Sequence, residues 1–564
     1  MNTFIASDMK VLELASTKID TLINARKSHV KKFFINSLRD GHTNDSIGYL
    51  FEKTLEKFDR KDMGQYYTPK QIVEYMISQL EINKDSKILD PSCGCGSFLL
   101  NVFDVCKEKY GVNFIRNIFG VDINNDAADM ARLCLYKQTE FSDDCLSSIK
   151  NNIKTGNSLS SNKILFRSAF DWDTEFSKVM SQGGFDFIIG NPPYVTVRNE
   201  TDYDASESVY SLITDGRVNA ATLMIGRSIG LLRNGGILAF LLPKSILFVD
   251  SYAKLRNYLA HNTEIVQIYD LGSKFKDVRG EQFILFIRKV LPNKESKTKI
   301  CTFKDRAKSL TEQPFVVINQ SKLMQMDKYL TFDDPAYYEL VDKLSNIGIK
   351  LNEAVEGKIF RGIPIGGNHV KEKDVLINGE KVVRGKDISK FKLKDLRYLN
   401  VKHYKKFCGS KIDILRHSKI VLQNIFSSES GIIASYDAYK LLSLDTVTNI
   451  LVKDETQGKY LLALLSSKLI NFYVMYAIFN RSRLTMHLDK SYIGLIPFMI
   501  PPKDTLNKLI KLIDVIGIHS DSDLKKTQCR AIDKIIYNLY SLKKEEIELI
   551  EKATNNMLSK RSIW

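Results

Sequence analysis

The residues with the clearest chemical meaning are Asn191, Pro192, Pro193 and Tyr194, which close the stretch FDFIIGNPPY over 185–194. Asn191 offers a carboxamide oxygen, and the Pro192 carbonyl precedes a residue with no N–H to compete for it. Two such acceptors can hold both hydrogens of an exocyclic amino group, and the Tyr194 ring can stack on the aromatic system that carries it. That chemistry suits an amide or an aromatic NH2. The same tetrapeptide also serves elsewhere as a loop punctuator or as a recognition turn for another protein. The element that must position it is a strand: residues 185–189 are a short, mostly apolar run, Gly190 ends it, and the prolines cannot continue a ladder. A loop at the carboxyl end of a strand is where ligands bind in an open α/β sheet.

A second constellation lies upstream, in KILDPSCGCGSFLL over 87–100. A buried strand runs into a glycine turn that opens a helix. Gly94 and Gly96 let the backbone approach a ligand, and Asp90 places an anion at the strand tip. A further strand, 118–122, ends in Asp122, which suits ribose hydroxyls. The third glycine of a dinucleotide fingerprint is replaced by Phe98-Leu99-Leu100. Without a pyrophosphate cradle, the ligand expected is a nucleoside carrying an amino acid, S-adenosylmethionine. Before it, GQYYTPK over 64–70 leads into a helix over 71–80, with Thr68 placed as N-cap and Pro69 as the first helical residue.

In this order the motifs resemble those of gamma-class N6-adenine DNA methyltransferases of bacterial restriction–modification systems. The match runs from residue 64 to about 290 through YYTP, DPxxGxGxF, Gly120-Val121-Asp122-Ile123, Thr155-Gly156-Asn157-Ser158-Leu159 and NPPY. The resemblance implies an α/β, Rossmann-like S-adenosylmethionine-dependent methyltransferase domain, with a helical N-terminal cap and a C-terminal α+β DNA-recognition domain. It implies catalytic roles for Asn191, Pro192 and Tyr194. It implies a cofactor site built from Tyr67, Thr68, Asp90, Ser92, Gly94, Gly96, Phe98, Asp122, Ile123, Asn157 and Ser158. In that site Thr68 faces the methionine carboxylate, and Asp90 with the glycines surrounds the amino group. Asn157 stands where the family more often has Asp facing the adenine. Phe275 takes the place of an aromatic that packs on the target base opposite Tyr194. After NPPY, an amphipathic helix over 219–232, a Gly235-Gly236 turn, and strands over 237–242, 264–271 and 282–287 complete the sheet, the last pair antiparallel.

The chain has 564 residues, long enough for two or three domains, and carries a net charge of +16. No run of about 18 apolar residues suggests a membrane span. The start lacks the pattern of a signal peptide, and eight scattered cysteines suit a reduced compartment, so a cytoplasmic protein is expected. Cys93-Gly94-Cys95 is too close for zinc spacing, and no metal is expected. Residues 381–420 hold 13 Lys/Arg against three Asp, with Tyr398, Tyr404 and Phe407 interleaved. Such a run suits a surface that tracks phosphates, or a merely solvated face. In the target-recognition domains it resembles, contacts to double-stranded DNA are expected from Arg384, Lys386, Lys405, Arg416, Lys419, Gln423, Asn424, Arg481 and Arg483. The domains expected are a helical cap over 1–60, the catalytic domain over 61–295, a linker over 296–345, a recognition domain over 346–503 and terminal helices over 504–564. The tail resembles that of type I specificity subunits and leaves room for a partner, either a specificity subunit or a cognate restriction endonuclease. The rival readings are an RNA or glutamine-amide acceptor, a bifunctional nuclease using Glu295/Lys297 or Glu356/Lys358, and a DNA-binding subunit without activity.

Overall fold

The computed structural model describes residues 19–23, 28–54, 68–161, 168–197, 203, 208–215, 218–273, 280–305, 307–325, 328–365, 379–394, 396–401, 408, 410–518 and 521–557. Tyr67, Phe275 and Lys405 lie outside the described residues. Two compact units follow one another, Met1–Asp333 and Asp334–Trp564.

The first unit is built on a nine-stranded sheet. Its strands are β1 (Ile88–Asp90), β2 (Ile118–Asp122), β3 (Ile153–Thr155), β4 (Phe185–Gly190), β7 (Leu232–Pro243), β8 (Glu264–Gly272), β9 (Gln282–Arg288), β10 (Lys297–Thr302) and β11 (Phe315–Asn319); β5 (Thr196–Val197) and β6 (Val218–Asn219) form a separate ribbon. The order is β11-β10-β8-β9-β7-β4-β1-β2-β3. From β1 the chain steps outward through β2 and β3, then returns to lay β4 on the other side of β1, parallel to it. That reversal opens a crevice at the carboxyl ends of β1 and β4. The strands here are buried on both faces, as near-continuous apolar runs require. β9 lies antiparallel between β7 and β8, as expected for the closing pair.

Three local expectations change. The segment expected as a linker supplies β10, parallel to β8, and β11, antiparallel to β10, and so extends the sheet. Its remainder, from Pro335, is a helix of the second unit. Gly235-Gly236 is a bulge within one long strand: Leu232 already pairs with Phe185, and the register shifts before Ile237 meets Phe187. The helix expected over 219–232 runs Ala220–Leu231, with Asn219 Oδ1 accepting the Ala221 N–H at 2.9 Å as its cap. It is buried almost all round, not amphipathic.

The second unit centres on an antiparallel four-stranded sheet in the order Ile359–Arg361, Val447–Leu451, Lys419–Gln423, Ala434–Asp437. The same unit also holds a three-stranded sheet (Arg397–Leu399, Glu380–Val383, Leu442–Ser443) and a ribbon pairing Ile425–Phe426 with Met486–His487. The terminal helices Ser522–Leu539 and Lys544–Met557 pack within this unit. Asp533 Oδ1 caps Lys468 N at 2.8 Å, and Lys343 pairs with Glu546 at 2.7 Å. No single helix among the described residues is long and apolar enough to cross a membrane.

Candidate functional site

At the crevice, Asp90 ends β1 and is almost wholly buried; its Oδ1 accepts the Ser92 N–H at 3.0 Å. Gly190 ends β4 against it. A Cβ on Gly190 would stand 2.7 Å from Asp90 Oδ1, so only glycine lets the strand that leads into NPPY approach this carboxyl group. Asp122, at the tip of β2, accepts the Gly94 N–H on Oδ2 and the Asn124 N–H on Oδ1, both at 2.8 Å. Gly94 and Gly96 adopt φ of +53° and +89°, a backbone that side chains disfavour, which turns the chain from β1 into the helix Ser97–Tyr110.

Burial raises the Asp90 pKa to about 8, and the nearby Asp122 charge adds to the rise. Asp122 is raised as well, by burial, although two backbone N–H groups oppose it. In the folded ligand-free chain Asp90 keeps a proton that the unfolded chain releases near pH 4. Stability is therefore lost as pH rises from that value through about 8. Asp90→Asn, which keeps an acceptor for Ser92 N–H but cannot ionise, is expected to melt higher than the parent at pH 8. The difference, on the order of a few kcal/mol, should vanish near pH 4. Melting temperatures across that range check this; a pH-independent difference would defeat it.

Thr68 is not the N-cap. Pro69 has ψ of 135° and occupies that position before the helix Lys70–Ser78, and Thr68 instead accepts a hydrogen bond from Asn191 Nδ2 at 3.1 Å. This bond decides which end of the Asn191 carboxamide is the acceptor. The Tyr194 hydroxyl donates to the Leu241 carbonyl of β7 at 2.9 Å, and Gln282 Nε2 of β9 reaches it at 3.4 Å. Leu241 and Gln282 carry no signal in the sequence pattern, the first because it acts through its backbone. The ring is thus held by two strands and only half-buried.

The remaining expected cofactor residues divide. Ser92 Oγ is buried without a hydrogen-bond partner, and Ile123 is 53% exposed beside the buried Asp122. Asn157 is buried, its Oδ1 accepting the Leu159 N–H at 3.0 Å. Ser158 donates through Oγ to the Pro91 carbonyl at 2.6 Å, lashing the loop after β3 to the loop after β1. Phe98 packs into the hydrophobic core under the glycine turn.

Among its described residues, the basic run of the second unit is not all at the surface. Lys419 is fully buried, with Nζ 2.7 Å from Asp437 Oδ2 and donating to the carbonyls of Leu415, His417 and Leu441. Asn424 is also buried, donating to Thr448 Oγ1 and Asp489 Oδ1 at 2.9 Å each and meeting His487 Nδ1 at 2.6 Å. Both are structural, which corrects their expected role in DNA contact. Arg384 is clamped bidentately by Asp387, Arg416 pairs with Glu380 at 2.8 Å, and Gln423 donates to the Ile388 carbonyl. Lys386 and Arg483 are exposed. Arg481 is half-buried at φ +56°, next to Asn480 at +45°, just beyond the π-helical turn Val474–Ile478. Such backbone is uncommon away from glycine.

Two stretches of the chain are similar to known protein families. Residues 116–276 match the Eco57I restriction-modification methylase family, and residues 380–498 match the TaqI-like C-terminal specificity domain. The chain is thus similar, in order, to a restriction–modification methylase domain and to a specificity domain of TaqI type. It is 27% identical over 248 residues to the type II methyltransferase M.CvrRI of Paramecium bursaria Chlorella virus XZ-6E, covering 44% of this chain and 54% of that one. It is 25% identical over 237 residues to the type II methyltransferase M.TthHB8I of Thermus thermophilus, covering 41% and 46%. The chain spans about half the length of these curated relatives. Its fold resembles the type IIL restriction-modification enzyme MmeI, solved in complex with DNA, with a TM-score of 0.59 at 13% identity over 91% of this chain and 82% of that one.

Proposed function

We propose that the protein is a site-specific DNA methyltransferase that transfers the methyl group of S-adenosylmethionine to N6 of an adenine flipped out of double-stranded DNA. The observation that carries this reading is the Asn191 carboxamide, oriented by Thr68 at the carboxyl end of β4, against the strand that ends in Asp90. The chain's own residues fit the cofactor. Asp90 is a buried acid that a cationic amino group would relieve, and Ser92 Oγ is a buried hydroxyl with no partner. Asp122 suits ribose, and Ile123 offers an apolar face beside it. When bound, S-adenosylmethionine supplies a methyl group on a positively charged sulfur.

The adenine amino nitrogen is a poor nucleophile because its lone pair is delocalised into the ring. Asn191 Oδ1 and the Pro192 carbonyl, accepting its two hydrogens, favour a pyramidal nitrogen whose lone pair is directed out of the ring plane. This is orientation and electrostatic preorganisation, with no covalent intermediate. Tyr194 replaces part of the stacking the base loses on leaving the duplex. The second unit supplies DNA recognition, and a restriction endonuclease or specificity subunit is the partner this organisation suits.

Tyr194→Ala is expected to lower the transfer rate by roughly 10- to 100-fold, in line with about 1–3 kcal/mol for base–aromatic stacking. Tyr194→Phe keeps the ring and loses only the tether to Leu241, so a reduction of only a few-fold is expected. Single-turnover kinetics distinguish the two; equal losses would mean that the hydroxyl, not the ring, matters. The function itself is tested by transfer of labelled methyl to unmethylated genomic DNA, followed by nucleoside analysis. N6-methyladenine in one short sequence supports the reading. Label appearing on cytosine, RNA or protein, or nowhere, overturns it.

A further inference from the structure

The N-terminal helices share one hydrophobic core with the glycine turn. Ile47 and Phe51, on the helix Asn44–Thr54, are buried in the same cluster as Cys93, Cys95 and Phe98. On this helix Gly48 and Glu52 are four residues apart and so lie on one face. Gly48 packs against Cys95, where an added Cβ would be 3.4 Å from the Cys95 Cβ. Glu52 then comes to Gly94: a Cβ there would lie 3.3 Å from Glu52 Oε1. Asp122 Oδ2 already takes the Gly94 N–H at 2.8 Å. The turn thus lies between a carboxylate from the sheet and one from the N-terminal helices. The Glu52 charge also adds to the burial that pushes the Cys95 thiol up.

We propose that Glu52 is a cofactor-binding residue, its carboxylate accepting from the ammonium of the methionine moiety of S-adenosylmethionine. The inference rests on reading the glycine turn as the site of that cofactor. Carboxylates that gather at one buried turn raise one another's cost of ionisation, and a bound cation removes that cost. Ser92 Oγ, buried without a partner on the same turn, is an independent sign that a polar ligand belongs there. The N-terminal helices are fastened well enough to carry such a residue. Lys137 Nζ donates to the His42 carbonyl at 2.9 Å, and His29 Nε2 meets Asp126 at 3.0 Å.

The test is calorimetric binding of two nucleosides to the full chain and to Glu52→Gln. S-adenosylhomocysteine has the ammonium; 5′-methylthioadenosine lacks the whole amino-acid end. The variant is expected to bind S-adenosylhomocysteine roughly 10- to 100-fold more weakly, the usual worth of a hydrogen bond to a charged group. Its affinity for 5′-methylthioadenosine should stay within about twofold of the parent, since that ligand makes no such bond. Equal weakening of both ligands, or none of either, overturns the role of Glu52. A parent chain that binds neither nucleoside overturns the cofactor site as well. If Glu52→Gln does not fold, Glu52→Asp retains the charge but withdraws it by one methylene. The same selective loss, smaller in size, is then expected, and a non-selective loss overturns the proposal.

Discussion

Asn191→Ala is expected to cut methyl transfer by about 10²–10³-fold, the usual effect of deleting one preorganised hydrogen-bonding group at a reacting centre. Affinity for duplex DNA should change little, because a flipped base contributes only a part of the contacts that hold a duplex. The expectation follows from the wiring of this side chain. Its nitrogen donates to Thr68 Oγ1, its backbone follows a strand whose Gly190 abuts Asp90, and the next residue is a proline, whose carbonyl is the second acceptor in the proposed mechanism. Alanine removes the acceptor and leaves the strand and the prolines in place. Rates from rapid-quench methylation, set beside gel-shift affinities, decide the matter. A variant with more than a tenth of the parent rate would show that the carboxamide does not activate the amino group.

Asp437→Ala is expected to destabilise the second unit by about 3–5 kcal/mol, because it strands a buried ammonium. Lys419 and Asp437 are both fully buried, and Asp437 also accepts the N–H groups of Tyr439 at 3.0 Å and Leu441 at 2.8 Å. Burial already lowers the Lys419 pKa even with Asp437 beside it. A lysine depressed in the folded state costs stability most at neutral pH, and the cost shrinks as pH rises toward the ordinary lysine range. The deficit of Asp437→Ala should therefore narrow in alkali. Lys419→Met should cost less than Asp437→Ala, since it removes the charge rather than isolating it. Denaturant titrations at neutral and alkaline pH provide the comparison. A loss of under about 1 kcal/mol at neutral pH would mean that this pair does not hold the sheet together.

Much of the first unit is written locally in the chain. Buried parallel strands are apolar runs, and those of β1, β2 and β4 end in Asp, Asp and Gly-Asn-Pro-Pro, so their tips declare themselves. What escaped is what depends on distance. Thr68 satisfies every local rule for an N-cap, yet its hydroxyl serves a residue 123 positions away. β10 and β11 read as linker because Lys297, Lys299 and Asn319 interrupt them; β11 is the edge strand, where such polar interruption is natural. In the second unit a count of charges could not separate inside from outside. Lys419 opens the strand KIVLQ, three of whose residues are apolar, and the lysine is drawn inward with them. Asn424 likewise looks like a polar surface residue until Thr448, Asp489 and His487 close around it.

That closure sets a rule for anyone who wants to vary the surface of the second unit. Beside the ribbon Ile425–Phe426/Met486–His487, Asn424, Thr448 and Asp489 form a hydrogen-bonded inner wall, Ile425, at 49% exposure, and Thr485 are exposed, and His487 joins the two through its bond to Asn424. Randomising the inner wall would return mostly clones that fail to fold, because each member satisfies another's buried polar atoms. Libraries confined to the exposed positions would vary this surface on an intact scaffold. Because Nδ1 of His487 is committed to Asn424, a replacement there can change what faces outward only through groups beyond that bond. His487→Gln and His487→Asn, which offer an amide to the same anchor, are the natural first members of such a library.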